Sequence, residues 1–469
     1  MADNSGVHLL PPLSPLGSYI NTEKLQFYIM GVLELENPFS ESQTLDFLRD
    51  VFIPINTRFS SLILTDEKGV QRWKKIDTIP ENHLIIPTLS PSSEDQQLYD
   101  EQVHDYLAKI NLKPFPEHLS PWDVHLITYP TTNAKTTLVF NLHHALGDGY
   151  SIMGALFSIF KSSANPRHPL RFPTASSRMN EVKTNYSKIS GLVTKAKNTL
   201  TDFTKNVLGA YILKDGETVL RSTTPRVEYE PISITSVTTS MDYIKDIRSK
   251  VGGTVNDITT GWISYGLHLY MKKLGESGDG SSRCTALVVM NMRMYRGFKS
   301  IEEMLKANIW GNHFGLLSVS LPPFVSDDME SVDPLDYIVQ AKEEMLRKAN
   351  SFGAYFTSKL LHYLGKVTGP VGPANFIYSN VRNKSIMISN MCGPVEKAAV
   401  AGNPLKGFYF IIPGMPQSLT FTIVSYMGKL RLVTTSEKGF IDAKLMNSCL
   451  KEAFQKMYSA ACGEIPVME

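Results

Sequence analysis

The side chains best suited to chemistry lie in the run HHALGDG, which contains His143, His144 and Asp148. A neutral imidazole takes up a proton near pH 7, so histidine is the usual general base for a hydroxyl or thiol group. Its second ring nitrogen needs a partner that fixes the tautomer. Asp148 could be that partner, or it could pair with an arginine and stiffen the loop, and the sequence leaves both roles open.

A strand and a helix must position these side chains. The run VHLITYPTTNAKTTLVFNLHH predicts two strands joined by a polar turn, the second ending at the histidines. The run GYSIMGALFSIFKSS predicts a helix, with Asp148 at its N-cap or first turn. Successive strand residues point to opposite faces, so we expect one histidine to be catalytic and the other structural. Gly147 and Gly149 are expected to give the corner a permissive backbone.

The length of 469 residues predicts two domains, and 42% hydrophobic residues suffice for a large core. A stretch rich in Pro, Arg, Ser and Thr at 164–186 indicates the end of a first domain. We therefore predict an N-terminal subdomain at 1–185, a linker helix at 186–225 and a C-terminal subdomain at 226–469.

Composition argues against several classes of protein. The net charge is +2 without a basic block, which argues against nucleic-acid binding. The four cysteines are dispersed, which indicates neither a disulfide framework nor a metal site and favours a reducing compartment. The N-terminus lacks the pattern of a secretory signal, and no run of about 18 apolar residues predicts a membrane span.

The linker segment predicts an amphipathic basic helix over 187–212. Its apolar residues recur at helical spacing, and its other face combines four lysines with one acid. The lysines are Lys188, Lys195, Lys197 and Lys205, and the acid is Asp202. An ordinary helix that packs on the protein or crosses between domains is the interpretation we favour, with contact to a membrane surface as the alternative.

The second half alternates between strands and helices. Two helices separated by Gly252-Gly253 are predicted between residues 240 and 275, and ANFIYSNV at 374–381 is predicted as a strand. Mixed strands and helices without strict alternation indicate an α/β or α+β protein with mixed sheets.

The order of motifs resembles one known family. H-H-x-x-x-D-G is the signature of the CoA-dependent acyltransferase superfamily. Over nearly the whole chain the sequence is similar to the plant form of the wax ester synthase/diacylglycerol acyltransferase family. The segments that carry the resemblance are PPLSPLG, RFSS, SPWDVHLI, HHALGDG, VNDITTG, WGNHFGLLSVSLP, SNMCGPVE and PQSLTFTIVSYMGKLRL. One departure is Ser120-Pro121-Trp122, where the family has Pro-Leu-Trp, which leaves the acyl-chain preference open.

The resemblance implies a fold and a reaction. The fold would be two subdomains similar to chloramphenicol acetyltransferase, with an active-site tunnel between them. His144 would be the general base that activates an alcohol for attack on acyl-CoA, supported by His143, Asp148 and Gly149. Acyl-CoA would be a co-substrate and no other cofactor or metal is expected.

Further residues are candidates for acyl-CoA binding or for stabilising the tetrahedral intermediate. They are Asn256, Asp257, Asn312, Ser389 and Asn390. Asn256 is placed ahead of Asn312, although Asn256-Asp257 would equally suit the start of a helix. Arg293 could bind Asp148 or the CoA phosphates, but a surface salt bridge is expected.

Other functions remain open at this point. An acyltransferase for small hydroxyl or amine acceptors is one alternative, but such enzymes carry an Asp-Phe-Gly-Trp-Gly motif that this sequence lacks. A non-catalytic lipid-binding protein on the same scaffold is the other. The family implies a location at the cytosolic face of the endoplasmic reticulum, with the plasma membrane as a second site.

Overall fold

The computed structural model describes residues 9–90, 96–110, 114–165, 167, 170–172, 188–276, 283–293, 310–322, 332–466 and 468. The strands are β1 Leu9–Pro12, β2 Asn21–Thr22, β3 Leu25–Gln26, β4 Tyr28–Leu35, β5 Ser61–Thr65, β6 Gln71–Lys75, β7 Leu84–Ile85, β8 Trp122–Ile127, β9 Thr136–His143, β10 Lys161–Ser162, β11 Ile232–Ser240, β12 Thr285–Asn291, β13 Phe314–Ser320, β14 Ile386–Cys392, β15 Ala398–Val400, β16 Asn403–Ile411, β17 Leu419–Tyr426 and β18 Lys429–Glu437.

The helices alternate with these strands along the chain. They are α1 Pro15–Tyr19, α2 Glu41–Phe47, α3 Gln96–Ile110, α4 Gly149–Ile159, α5 Lys188–Tyr211, α6 Met241–Val251, α7 Val255–Lys273, α8 Asp336–Ala349, α9 Gly353–Thr368, α10 Val371–Arg382 and α11 Ala443–Cys462.

A seven-stranded sheet in the order β10-β15-β16-β4-β9-β8-β7 forms the first half of the molecule. Its central strands β4 and β9 are antiparallel, with Tyr28 opposite His143. Every residue of both strands is buried. The two histidines are therefore delivered by a strand that neighbouring strands and packed side chains hold on all sides.

A six-stranded sheet in the order β11-β18-β17-β14-β12-β13 forms the second half. Parallel pairs β12–β14 and β14–β17 lie at its centre, and the remaining pairs are antiparallel. Helices α7 and α11 cover it, and the buried indole of Trp262 donates a hydrogen bond of 2.7 Å to the carbonyl of Leu450. The mixed α/β architecture predicted from the sequence is confirmed.

The chain crosses between the two halves near its end. Strands β15 and β16 come from residues 398–411 but pair within the first sheet, where β16 lies antiparallel to β4. The guanidinium of Arg431 in the second sheet also donates to Glu34 of β4 at 2.9 Å. The division at 185 and 225 stays a prediction, to which the structure adds this exchange of strands.

One predicted strand is wrong. The run ANFIYSNV belongs to helix α10, in which Ala374, Ile377 and Val381 are buried at helical spacing. Aromatic and β-branched residues favour strands locally, but the packing of this apolar face decides the element. The preceding helix α9 was not predicted at all.

The predicted basic helix is confirmed as α5. The helix packs on the protein, as we favoured, but it does so through polar side chains such as Asp202 and Asn206, whereas Val193, Leu200 and Tyr211 are exposed. The side chain of Lys188 and the stretch 173–187 before it lie outside the described residues. Across the described chain, none of the helices combines the length and apolar character that crossing a membrane requires.

Candidate active site

Strand β9 ends at His143, a 3-10 turn follows over His144–Leu146, and α4 begins at Gly149. Asp148 is the N-cap of α4, and its carboxylate accepts a hydrogen bond of 2.9 Å from the amide of Ser151. The predicted strand, corner and helix are all confirmed. The two histidines are thus held between two regular elements with no free loop on either side.

The imidazole of His144 has a single orientation, set by Asn312. The amide nitrogen of Asn312 donates to the carbonyl of His144 at 2.9 Å, so its oxygen faces the ring and accepts from Nδ1 at 2.8 Å. Nδ1 therefore carries the proton, and Nε2 has the lone pair that a general base needs. Burial lowers the pKa of His144, which keeps the ring neutral near pH 7.

His143 has a structural environment. Its Nδ1 accepts a hydrogen bond of 3.1 Å from the amide of Ala145, and its ring lies edge-on to Tyr28 with centroids 5.3 Å apart. Burial, with the neighbouring His144 as a smaller cause, lowers its pKa to about 3. The ring therefore stays neutral and holds the backbone turn that presents His144.

This buried histidine should make the protein less stable in acid. Unfolded His143 binds a proton below pH 6.5, whereas the folded ring does not bind one until about pH 3. The unfolded state therefore gains protons as the pH falls, and stability should drop by about 2 kcal/mol between pH 6.5 and 5 from this residue. In urea unfolding, His143→Asn keeps an acceptor for Ala145 and should show a smaller loss over this range. An equal loss in both proteins would contradict this assignment.

Asp148 forms an ion pair with Arg293. The guanidinium donates to both carboxylate oxygens, at 2.7 Å and 3.0 Å, and it also donates to the hydroxyl of Ser151 at 2.8 Å. Both charged side chains are buried, so the expected surface salt bridge is wrong. Of the two roles left open for Asp148, these contacts support the structural one, because its hydrogen bonds go to Arg293 and to backbone amides and none goes to His144.

Residues 310–313 run along the histidine loop, and of these four the sequence analysis named only Asn312. The indole of Trp310 donates to the carbonyl of Leu146, and the carbonyl of Gly311 accepts from the amide of Asp148 at 3.3 Å. The amide of His313 donates to the Asp148 carboxylate at 2.8 Å. Gly311 has φ +129°, a conformation that favours glycine, which is the one local signal in WGNH.

Gly147 and Gly149 are needed because a larger residue would collide with its neighbours at either position. Gly147 is extended, with φ 171°, and Gly149 is the first residue of α4, so neither adopts the left-handed conformation and the expected need for a permissive backbone is wrong. A Cβ at Gly147 would lie 2.9 Å from the Cβ of Ser151, and one at Gly149 would lie 2.9 Å from the sulfur of Met391. Both glycines therefore let α4 and the segment from the second half approach the histidine loop closely.

The RFSS motif also holds this loop. The guanidinium of Arg58 donates to the carbonyl of Leu146 at 2.8 Å and lies over the ring of Trp73. Burial lowers the pKa of Arg58 to about 10, so it remains charged. Leu146 thus accepts hydrogen bonds from both Arg58 and Trp310, one from each half of the molecule.

The other residues predicted to bind substrate lie in two separate parts of the structure. Asn312 lies on His144, as described above. Asn256 and Asn390 bond to each other, with the amide of Asn390 donating at 2.5 Å. Asp257 forms a capping box with Thr254, and Ser389 is buried in β14. The structure thus brings Asn312 to His144, and a role of Asn256, Asp257, Ser389 and Asn390 in binding acyl-CoA stays a prediction.

An apolar cavity of about 390 Å³ lies one side chain away from His144. Its wall includes Phe314, whose ring centroid is 5.1 Å from that of His144. From there it extends between β12 and β13 on one side and α9 on the other, past Leu316 and Leu361. A cavity of this kind suits a long hydrocarbon chain whose reacting end lies at the imidazole.

Comparison with known proteins agrees with this geometry. A family model described as the WS/DGAT C-terminal domain matches residues 310–458. Two Arabidopsis thaliana proteins, wax ester synthase/diacylglycerol acyltransferases 4 and 11, are 26% and 28% identical to the chain. The alignments cover 90% and 86% of this chain and 84% and 85% of those proteins.

Solved structures share the fold. The wax ester synthase/diacylglycerol acyltransferase from Marinobacter aquaeolei VT8 matches with a TM-score of 0.59 at 15% identity, covering 96% of this chain and 100% of that one. The first condensation domain of the CDA synthetase matches with a TM-score of 0.56 at 13% identity, covering 98% of both chains.

The two-lobed fold, with an HHxxxDG loop where the lobes meet, is that of the acyltransferases that resemble chloramphenicol acetyltransferase. Within that class, the chain is similar over most of its length to wax ester synthase/diacylglycerol acyltransferases, and its residues 310–458 match the model of their C-terminal domain.

Proposed function

We propose that this protein transfers a long-chain acyl group from acyl-CoA to the hydroxyl of a fatty alcohol, with diacylglycerol as a second acceptor. The observation that carries the proposal is the position of His144, a neutral base that is oriented by Asn312 and packs against Phe314 of an apolar cavity. The names of the relatives supply the substrate class.

The side chains support the following reaction. Nε2 of His144 accepts the hydroxyl proton as the acceptor oxygen attacks the thioester carbonyl carbon. The tetrahedral intermediate collapses, the carbon–sulfur bond breaks, and the imidazolium returns the proton to the CoA sulfur. An ester and free CoA result, and no acyl-enzyme is needed because the thioester is already activated.

The role of Asn312 changes with the structure. The sequence offered it as an oxyanion donor, but its amide nitrogen donates one of its two hydrogens to the His144 carbonyl and so lies against the backbone of the base. Its carbonyl oxygen meanwhile holds the Nδ1 proton. Asn312 therefore acts as a positioning residue, which fixes both the direction and the tautomer of the base.

Changing Asn312 to aspartate should move the pH profile. A carboxylate beside Nδ1 stabilises the imidazolium, which raises the pKa of His144 by about 1 unit or more. The acid limb of kcat/KM should therefore shift to higher pH, and Asn312→Ala should lower kcat without that shift. Measuring kcat/KM against pH for both variants tests this role. An unshifted limb in Asn312→Asp would show that Asn312 does not orient the base.

The proposed function is tested with purified protein, palmitoyl-CoA and either hexadecanol or a diacylglycerol. Free CoA release and the identity of the lipid product are followed, with His144→Ala as the inactive control. Ester from either acceptor supports the proposal, and the preferred acceptor defines the product class. CoA release only with small hydroxyl or amine acceptors would favour the first alternative function. Lipid binding without any ester would favour a non-catalytic protein.

We also infer a working location at the cytosolic face of the endoplasmic reticulum, with the plasma membrane as a second site. The apolar acceptors support this proposal, because they partition into membranes. Fractionation of cells that express the tagged full chain tests it. Recovery of the protein apart from membrane fractions would contradict it.

A further inference from the structure

Helix α5 contacts the protein through its polar side. The amide of Asn206 donates to the hydroxyl of Thr357 at 3.0 Å, and Lys348 donates to Asp202 at 2.7 Å. Asp202 is only 4% exposed, and Arg347 also donates to it at 2.9 Å. The polar residues of α5 are therefore used to attach the helix to α8 and α9.

The apolar side of α5 faces outward. Val193, Leu200 and Tyr211 lie on one stripe of the helix and are 63%, 69% and 69% exposed. An ordinary surface helix buries its apolar stripe and exposes its polar one. The orientation of α5 is the reverse, which indicates that a partner covers this stripe.

Helix α9 continues the same apolar surface beside α5. Of its residues, Gly353 alone is buried. Tyr355, Phe356, Tyr363 and Val367 are all exposed, and the ring of Phe356 contacts that of Phe203 on α5. We define the docking face as the exposed apolar side chains of these two helices. Its members are Leu192, Val193, Leu200, Tyr211, Tyr355, Phe356, Tyr363 and Val367.

The charges around the docking face have one sign. Helix α5 contains four lysines and α9 contains two more, Lys359 and Lys366. The sequences of α5, α9 and α10 include a single acid, Asp202, which is neutralised by the buried pair with Lys348. Lys195 and Lys359 lie over the rings of Phe352 and Tyr355, with their amines near the apolar surface. An apolar face bordered by lysines complements a bilayer that contains anionic lipids.

The cavity beside His144 reaches this same face. Its wall includes Tyr355, Ser358, Lys359 and His362 of α9, and these four residues are exposed. The wall of the cavity also includes Phe314, whose ring packs against that of His144. Helix α9 is thus the wall between the docking face and the interior, so a chain that passes it enters the cavity directly.

We propose that the docking face lies on an anionic membrane and that the acceptor lipid enters the cavity from the bilayer past α9. This inference rests on the proposed function, because it concerns how that function's acceptor reaches His144. It commits to a lipid bilayer as the partner, and a second copy of the chain or another protein is an outcome that the test would detect.

The test combines vesicle binding with two presentations of the acceptor. The first variant carries Lys197→Glu, Lys205→Glu and Lys366→Glu, and the second carries Leu200→Ser and Tyr211→Ser. The control carries Lys245→Glu, Lys250→Glu and Lys444→Glu, which are exposed on α6 and α11. Flotation uses phosphatidylcholine vesicles with and without phosphatidylserine. Diacylglycerol is supplied either in those vesicles or in detergent micelles.

The wild type and the control should bind the phosphatidylserine vesicles, and added salt should weaken that binding. Both docking-face variants should bind about tenfold or more weakly. They should lose ester formation from vesicle diacylglycerol to a similar extent but keep it from micelles, because the replaced residues lie outside the His144 site.

Unchanged vesicle binding in both variants would overturn the docking face. Weaker binding without loss of vesicle activity would overturn entry past α9. A wild-type dimer that Leu200→Ser and Tyr211→Ser dissociate would assign the face to a second copy instead. Absence of ester from the wild type in micelles and vesicles alike would overturn the proposed function, and vesicle binding would still report on the docking face.

Discussion

Replacing His144 by alanine is expected to reduce ester formation by about 10²–10⁴-fold, the usual contribution of a positioned general base. The loss should appear in kcat, because a general base acts in the transition state of the chemical step and not in ground-state binding. His144→Gln should be similarly impaired, since its neutral amide has no basic nitrogen. Initial rates with palmitoyl-CoA and the preferred acceptor measure the effect.

A matched control separates this loss from damage to the fold. His118 is exposed and lies apart from the histidine loop, so His118→Ala should keep wild-type rates. Alanine at 144 removes a hydrogen bond to Asn312 from a buried site, so its urea midpoint must be measured beside the rates. If the His144→Ala protein is folded and retains more than a tenth of the wild-type rate, His144 is not the general base.

Asp148→Asn is expected to cost about 3–5 kcal/mol of stability. Asparagine is as good an N-cap as aspartate, so α4 keeps its cap and the change isolates the charge. What remains is a buried guanidinium at Arg293, which is 2% exposed and has lost the charge of the Asp148 carboxylate. The free energy of unfolding in urea measures the cost.

Removing both charges is a second test of the Asp148–Arg293 ion pair. A protein with both Asp148→Asn and Arg293→Met should recover part of the loss, because no unpaired charge then stays buried. The exposed pair Asp242–Lys245 supplies the comparison, and Asp242→Asn should cost less than about 1 kcal/mol. Equal costs at positions 148 and 242 would show that the buried pair does not hold the two halves together.

The histidine loop could be predicted because its parts are adjacent in the chain. A strand that ends in two histidines, followed by Asp148 at a helix start, is a local pattern and is confirmed in the structure. The partners of that loop were not predictable in the same way. Arg293 follows Asp148 by 145 residues and Asn312 follows His144 by 168, and no local rule specifies which distant side chains meet.

The errors in the fold predicted from the sequence have a related cause. ANFIYSNV has the residue types of a strand, but the neighbours that bury Ala374, Ile377 and Val381 make it helical. The stripe on α5 was correctly identified as apolar, yet its direction depends on Asn206 and Asp202, whose partners Thr357 and Lys348 are more than a hundred residues away. Periodicity shows that a helix has two faces, and only tertiary contacts decide which one turns outward.

The exchange of strands near the end of the chain has a consequence for synthesis on the ribosome. Strand β4 pairs with β9 on one side and with β16 on the other, and β16 is residues Asn403–Ile411. Until those residues emerge, β4 presents an apolar edge of unpaired amides and carbonyls, which is a template for aggregation. The amino-terminal half must therefore wait, incomplete, for most of the polypeptide to be made, and a chain that stops before residue 403 should demand chaperone protection that the finished protein does not.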